Sequence, residues 1–200
     1  MSAQNPALDR SRYLNPPGTR STSEWGILLL ILTEGALFAT MLASYFYIRF
    51  NSPTWPLGGI KPPELPLPII GTVLLLASSA TMFWAVRSSA RGQPRRLRLG
   101  ILLTILLGAS FIAIQTYEYL NAEFRPNTNV YGSLFFTITG IHGLHLIAGL
   151  ILCIVILIWA FGNRLNVQEH DALSNVSLYW HFVGLVWLFI FVSLYLSPHW

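Results

Sequence analysis

Charge is scarce in this chain. Of its 200 residues, twelve are Lys or Arg and eight are Asp or Glu, 10% together. Soluble domains carry about 25%, and so little charge cannot cover a water-facing surface, which excludes an ordinary soluble class. Cysteine is nearly absent. The lone Cys153 cannot form an internal disulfide or a thiolate metal cluster; inside an apolar run it reads as a small packing residue. The usual chemistry motifs are missing as well, with no phosphate loop, no nucleophile beside its base and no cysteine pair. No internal repeat is visible, so the inverted-repeat design of many transporters has no support. The first twenty residues lack the apolar stretch of a secretory signal.

What the chain has is apolar length. Hydrophobic residues make up 54%, and they gather in runs long enough to cross a membrane. We expect an all-α, integral membrane bundle of five transmembrane helices, over about 25–49, 67–87, 97–120, 131–160 and 175–197. An irregular tail, 1–23, precedes this 24–200 membrane domain. Ser21 and Glu24 fit a capping box at the start of the first span. Between the first two spans, Pro53, Pro56, Pro62, Pro63 and Pro66 with Gly58 and Gly59 forbid a helix. Residues 87–98 read as a loop carrying Arg87, Arg91, Arg95, Arg96 and Arg98. By the positive-inside rule this loop is cytoplasmic, which puts the N-terminus inside and the C-terminus on the periplasmic, outer side. An anionic-lipid or nucleic-acid patch is the alternative for these arginines; topology explains them more simply, and no nucleic-acid partner is expected.

The candidate functional residues are polar groups inside the spans. Glu34 lies nine residues past Trp25, about 13 Å into its helix. A charge there costs about 2.5–3.5 kcal/mol on insertion scales, so Glu34 should be protonated, paired or hydrated. Two readings stand: a protonated acid in a helix–helix hydrogen bond, and a proton or lipid-headgroup site. His142 and His145 are three apart and share a face of the fourth span. With no carboxylate or cysteine beside them they make a poor metal site; a hydrogen bond from one of them to Glu34, at like depth, fits better. Gln115 and Glu118 share a face near the outer end of the third span, suited to lateral hydrogen bonds or interfacial water. His181, in the fifth, reads as a structural hydrogen-bonder. No catalytic residue and no metal ligand set is expected. By residues alone the chain could be a small transporter, a proton-pathway protein, an intramembrane enzyme or an accessory subunit.

The sequence also resembles a known family. YGSLFFTITGIHGLHLIAG at 131–149, QTYEY at 115–119, TEGALFA at 33–39, WPLGGIKPPELPLP at 55–68 and YWHFVGLVWLFIF at 179–191 are similar, in order, to segments of the subunit III family of the haem–copper oxidases, on its cytochrome c oxidase branch. The likeness covers about 24–197 and puts Glu34 on that family's buried glutamate. The longer members have seven helices; this chain matches their last five, as in short bacterial forms. Gly184 stands where the family usually has Asp, and Ser174 where many members have Glu, so roles of those acids do not carry over. The resemblance implies an accessory subunit that binds no haem or copper itself. Those cofactors would sit in partner subunits, the catalytic subunit I with subunit II in the same complex. It further implies structural phospholipid, with Arg49 and Arg164 as weak headgroup candidates, and a multi-pass place in the bacterial inner membrane. The complex would couple cytochrome c oxidation and oxygen reduction to proton pumping. A quinol oxidase, or a relative that accompanies nitric oxide reductase, is the alternative within the family. An independent small transporter is the alternative outside it.

Overall fold

The computed structural model describes residues 22–162 and 167–199, with side chains for all of these except 167–170. Five long helices follow in order: α1 (Thr22–Phe50), α2 (Pro66–Ala90), α3 (Pro94–Asn121), α4 (Val130–Phe161) and α5 (Val167–Ile190). No strand occurs among the described residues. All five are apolar and long enough to cross a membrane, which is the expected all-α, five-span architecture.

Helix ends differ from the expected span ends because hydropathy marks where a helix leaves hydrocarbon, not where it stops. The fifth helix starts at Val167 rather than near 175, carrying polar residues beyond the apolar stretch. It then widens into a π turn over Phe191–Leu196 and closes with a 3₁₀ turn, Ser197–His199. The arginine loop is also shorter than expected. Arg87 belongs to α2, Arg95, Arg96 and Arg98 belong to α3, and only Arg91-Gly92-Gln93 lies between the helices. Gly92 takes φ +65°, a left-handed conformation that glycine adopts at no steric cost. Pro94 then opens α3 in its first turn, where its missing N–H is no loss. The proposed cap residue Ser21, most of the 1–23 tail and Arg164 lie outside the described residues.

Close backbone approach joins α2 to α3. A Cβ on Gly100 would lie 2.8 Å from Ala85 Cβ and 3.1 Å from the Thr81 carbonyl oxygen, so only glycine lets these helices meet there. A Thr81–Thr104 hydroxyl bond at 2.8 Å spans the same contact. Small residues at such positions are the main device for helix association in lipid. The helix at the centre is α5, which packs on α1, α2 and α4. Its Trp180 and Trp187 are fully buried. Their indole N–H groups donate to Ser78 Oγ at 3.1 Å and Thr72 Oγ1 at 2.9 Å on α2. Gly108 on α3 and Gly149 on α4 make room for the Trp180 ring. By contrast α1 is peripheral. Phe38 and Tyr45 are its buried residues, and it leans on α5 and α4.

The Pro-rich segment is fastened by Asn129. Its side-chain oxygen accepts from the Gly132 N–H at 3.0 Å, capping α4, and its amide donates to the Leu57 carbonyl at 2.8 Å. Loss of an N-cap costs about 1 kcal/mol, and the bond to Leu57 is lost with it. Asn129→Ala should therefore lower the thermal midpoint in detergent and expose residues 50–65 to protease; unaltered cleavage there would refute this role of Asn129.

Candidate functional site

The candidate site lies between α1 and α4. Glu34 Oε2 is 2.8 Å from His145 Nε2. The pair is partly covered, the side chains keeping 27% and 17% of their exposure. His145 Nδ1 lies 2.8 Å from the Ile141 carbonyl oxygen, one helical turn back. A carbonyl only accepts, so Nδ1 carries a hydrogen and donates. Two states remain for the contact with Glu34. With the imidazole neutral, Nε2 is a lone pair and the carboxyl must be protonated. With the carboxylate ionised, Nε2 must carry a proton and the ring is cationic. In both, one proton lies between Oε2 and Nε2 and the pair as a unit is neutral. A neutral pair is how an acid at this depth avoids most of the insertion cost of a bare charge.

The other polar residues separate. His142 shares the α4 face but not the contact with Glu34. Its ring is fully buried against Phe38, Phe111 and Trp187, the last at 5.2 Å between centroids. Neither ring nitrogen has a hydrogen-bond partner among the described residues. The expected hydrogen bonding therefore belongs to His145, and His142 is an aromatic-packed imidazole. Phe38 touches both rings, at 6.2 and 5.2 Å. The donor set does not suit a haem or copper ion, because the two imidazoles do not converge: His145 is committed at both nitrogens and His142 is walled in by apolar rings. No group of three or more metal-ligating side chains occurs among the described residues.

Gln115 and Glu118 diverge as well. Gln115 is buried and donates to the Thr139 carbonyl of α4 at 3.3 Å. Glu118 accepts from the Tyr195 hydroxyl at 3.0 Å. His181 makes no hydrogen bond among the described residues. It stands half-buried on the outer stripe of α5, between the exposed Leu178 and Leu185, which lie about one turn to either side on the same face. Arg49, expected weakly at lipid headgroups, turns inward. Its guanidinium donates to Ser197 Oγ and, at 2.7 Å, to the Ser197 carbonyl, tying the end of α1 to the C-terminal turn.

Three participants carried no sequence signal. Tyr179 donates to the His145 carbonyl at 3.1 Å, Tyr195 holds Glu118, and Ser197 receives Arg49. In an apolar span a tyrosine or serine reads as packing; only its neighbours on other helices reveal a partner.

A family model for cytochrome c oxidase subunit III matches residues 17–199. The chain is 34% identical over 178 residues to cytochrome c oxidase subunit 3 of Drosophila melanogaster, covering 86% of this chain and 68% of that protein. It is 38% identical over 181 residues to the Locusta migratoria protein of the same name, with 86% and 67% covered. Against the protein of that name from Oryctolagus cuniculus the figures are 36% over 178 residues, with 86% and 68% covered.

Proposed function

The chain belongs to the cytochrome c oxidase subunit III family, the third subunits of haem–copper oxidases, and from that premise we propose that it is a scaffold rather than a reaction centre within its complex. It would pack against the catalytic subunit I, with subunit II in the same assembly, steady the proton-uptake region of that neighbour and retain structural phospholipid. The observation that carries this reading is how the intramembrane acids are used. Glu34 and Glu118 each hold a side chain of another helix, which is the work of a fastening. Haems and copper would belong to the partner subunits. The electron donor would be cytochrome c, as the Pro-rich loop favours. The arginines around Arg91–Gln93 would face the cytoplasm, and the resemblance to short bacterial members favours a bacterial inner membrane.

Purification of the tagged chain in mild detergent tests membership of the complex. Haem absorbance should co-purify with it in fixed ratio, and a colourless homo-oligomer would defeat the proposal. The proton-related part has its own test. Glu34→Gln keeps a group able to donate or accept at His145 Nε2, so assembly should be preserved. Turnover should nonetheless fade over repeated cycles and at high pH, because a carboxamide cannot take up and release a proton as a carboxylic acid does. Wild-type turnover under both conditions would leave Glu34 a purely structural residue.

A further inference from the structure

Away from Glu34, at the end of the bundle opposite the Arg91–Gln93 turn, lies a cavity of about 450 Å³. Lys61, Glu64, Glu118 and Glu123 bring both signs of charge to its lining, with Tyr117 and Phe124 beside them. Glu118 is the inner group, in the last turn of the membrane-crossing α3. Lys61, Glu64 and Glu123 come from the flanking loops. The cavity thus straddles the boundary between hydrocarbon and water, the depth of lipid headgroups.

Glu118 is held for a ligand on one side only. Its Oε2 accepts from Tyr195, a fully buried residue. Its Oε1 has no hydrogen-bond partner among the described residues, and a carboxylate has about four acceptor sites. The lining carries three carboxylates against one ammonium, so it favours a ligand with net positive charge at its tip and a smaller demand for positive charge nearby. A bare metal ion has no use for aromatic walls or for this volume. Beside the mouth α3 exposes Tyr117 and Leu120, and about 16 Å further into the span, on the same face as Tyr117, it exposes Leu106, an apolar track along which an acyl chain can lie.

We propose that this cavity binds the headgroup of a zwitterionic amine phospholipid of the phosphatidylethanolamine type. The primary ammonium, with three N–H donors, sits among Glu118, Glu64 and Glu123, and the phosphate meets Lys61. Charge-assisted hydrogen bonds of this kind are about twice as strong as neutral ones. A choline headgroup lacks the N–H donors, and a glycerol headgroup lacks the cation. The inference deepens the lipid-retaining role proposed above and rests on it, but concerns a different part of the chain from Glu34.

Native mass spectrometry of the detergent-purified complex, equilibrated with equal amounts of phosphatidylethanolamine, phosphatidylcholine and phosphatidylglycerol, tests it. One phosphatidylethanolamine per chain should survive delipidation, preferred about tenfold over the other two. Glu118→Gln with Glu123→Gln should reduce its retention about tenfold, as expected for lost charge-assisted bonds. Glu123→Lys, an exposed loop change that spares the helices, should do the same if the double variant fails to assemble. Equal retention in the variants, or no headgroup preference, would overturn the inference. So would carbodiimide coupling of Glu118 to a lysine of a neighbouring subunit, which would make the occupant a protein side chain. If Glu34→Ala strips lipid while the cavity variants do not, the lipid-retaining role stands and this site falls; if no variant changes lipid content, both fall. Should haem fail to co-purify, the same measurement on the full chain alone still decides the cavity.

Discussion

Gly100→Ala is expected to destabilise the bundle by about 3 kcal/mol, the upper part of the usual range for overpacking. The added methyl would stand 2.8 Å from Ala85 Cβ and 3.1 Å from both Ala85 Cα and the Thr81 carbonyl oxygen. Two of those three atoms are backbone, so no rotamer change relieves the clash and the helices must move apart. Separation also stretches the Thr81–Thr104 bond, which has no water to replace it in hydrocarbon. The thermal midpoint of the purified complex should fall by several degrees, with the chain released early. Ala85→Gly in the same chain removes the nearest opposing atom and should recover part of the loss. If Gly100→Ala unfolds like the wild type, the close approach of α2 and α3 is not what holds them.

Glu34→Ala should free α1. That helix has little buried surface, with Phe38 and Tyr45 at its core. Its attachment therefore depends on a few polar fastenings, namely Glu34–His145, Arg49–Ser197 and the 2.6 Å bond from Asn175 to Ser23. Removing one partner of a buried hydrogen bond costs about 1–3 kcal/mol, and partial exposure puts this case toward the lower half. Amide exchange along α1 should then quicken roughly tenfold, the equivalent of about 1.4 kcal/mol, and retained phospholipid should fall. His145→Ala should have a similar effect. The two together should cost little more than either alone, since a contact is lost only once. Strict additivity, or unchanged α1 protection in Glu34→Ala, would show that the pair does not secure the helix.

These two contacts differ in how visible they were. Gly100 carried no special sign in the sequence: a glycine in an apolar run is common, and its meaning comes from Ala85 and Thr81 on a neighbouring helix. Glu34 was conspicuous, since an acid at mid-span needs a reason. Spacing also narrowed its partner to His142 or His145, which are three residues apart on one face. Choosing between them needed the rotation of α4 against α1. At about 100° of helix turn per residue the two histidines lie roughly 60° apart around the axis, enough to send His145 to Glu34 and His142 into the Phe38, Phe111 and Trp187 rings.

Gln115 and Glu118 teach the same lesson. Sequence put them on one face; in the bundle one reaches α4 and the other the turn that follows α5. The cavity beside Glu118 was not visible at all, because Lys61 and Glu64 lie more than fifty residues from it and only the meeting of the Pro-rich loop with the end of α3 brings them together.

The sequence by itself determined the membrane class, the five helices and the breaks between them. Those are local properties: apolar length must match hydrocarbon thickness, and prolines and glycines stop helices wherever they stand. The motifs also carried the family. Only the tertiary structure decided which polar groups meet, because in lipid every helix is apolar on most sides and hydropathy cannot say which side turns inward. That orientation is set by small residues and hydrogen bonds between helices, and it is what makes Glu34 and His145 a pair, leaves His142 without a polar partner among the described residues and opens a charged cavity at the bundle's end.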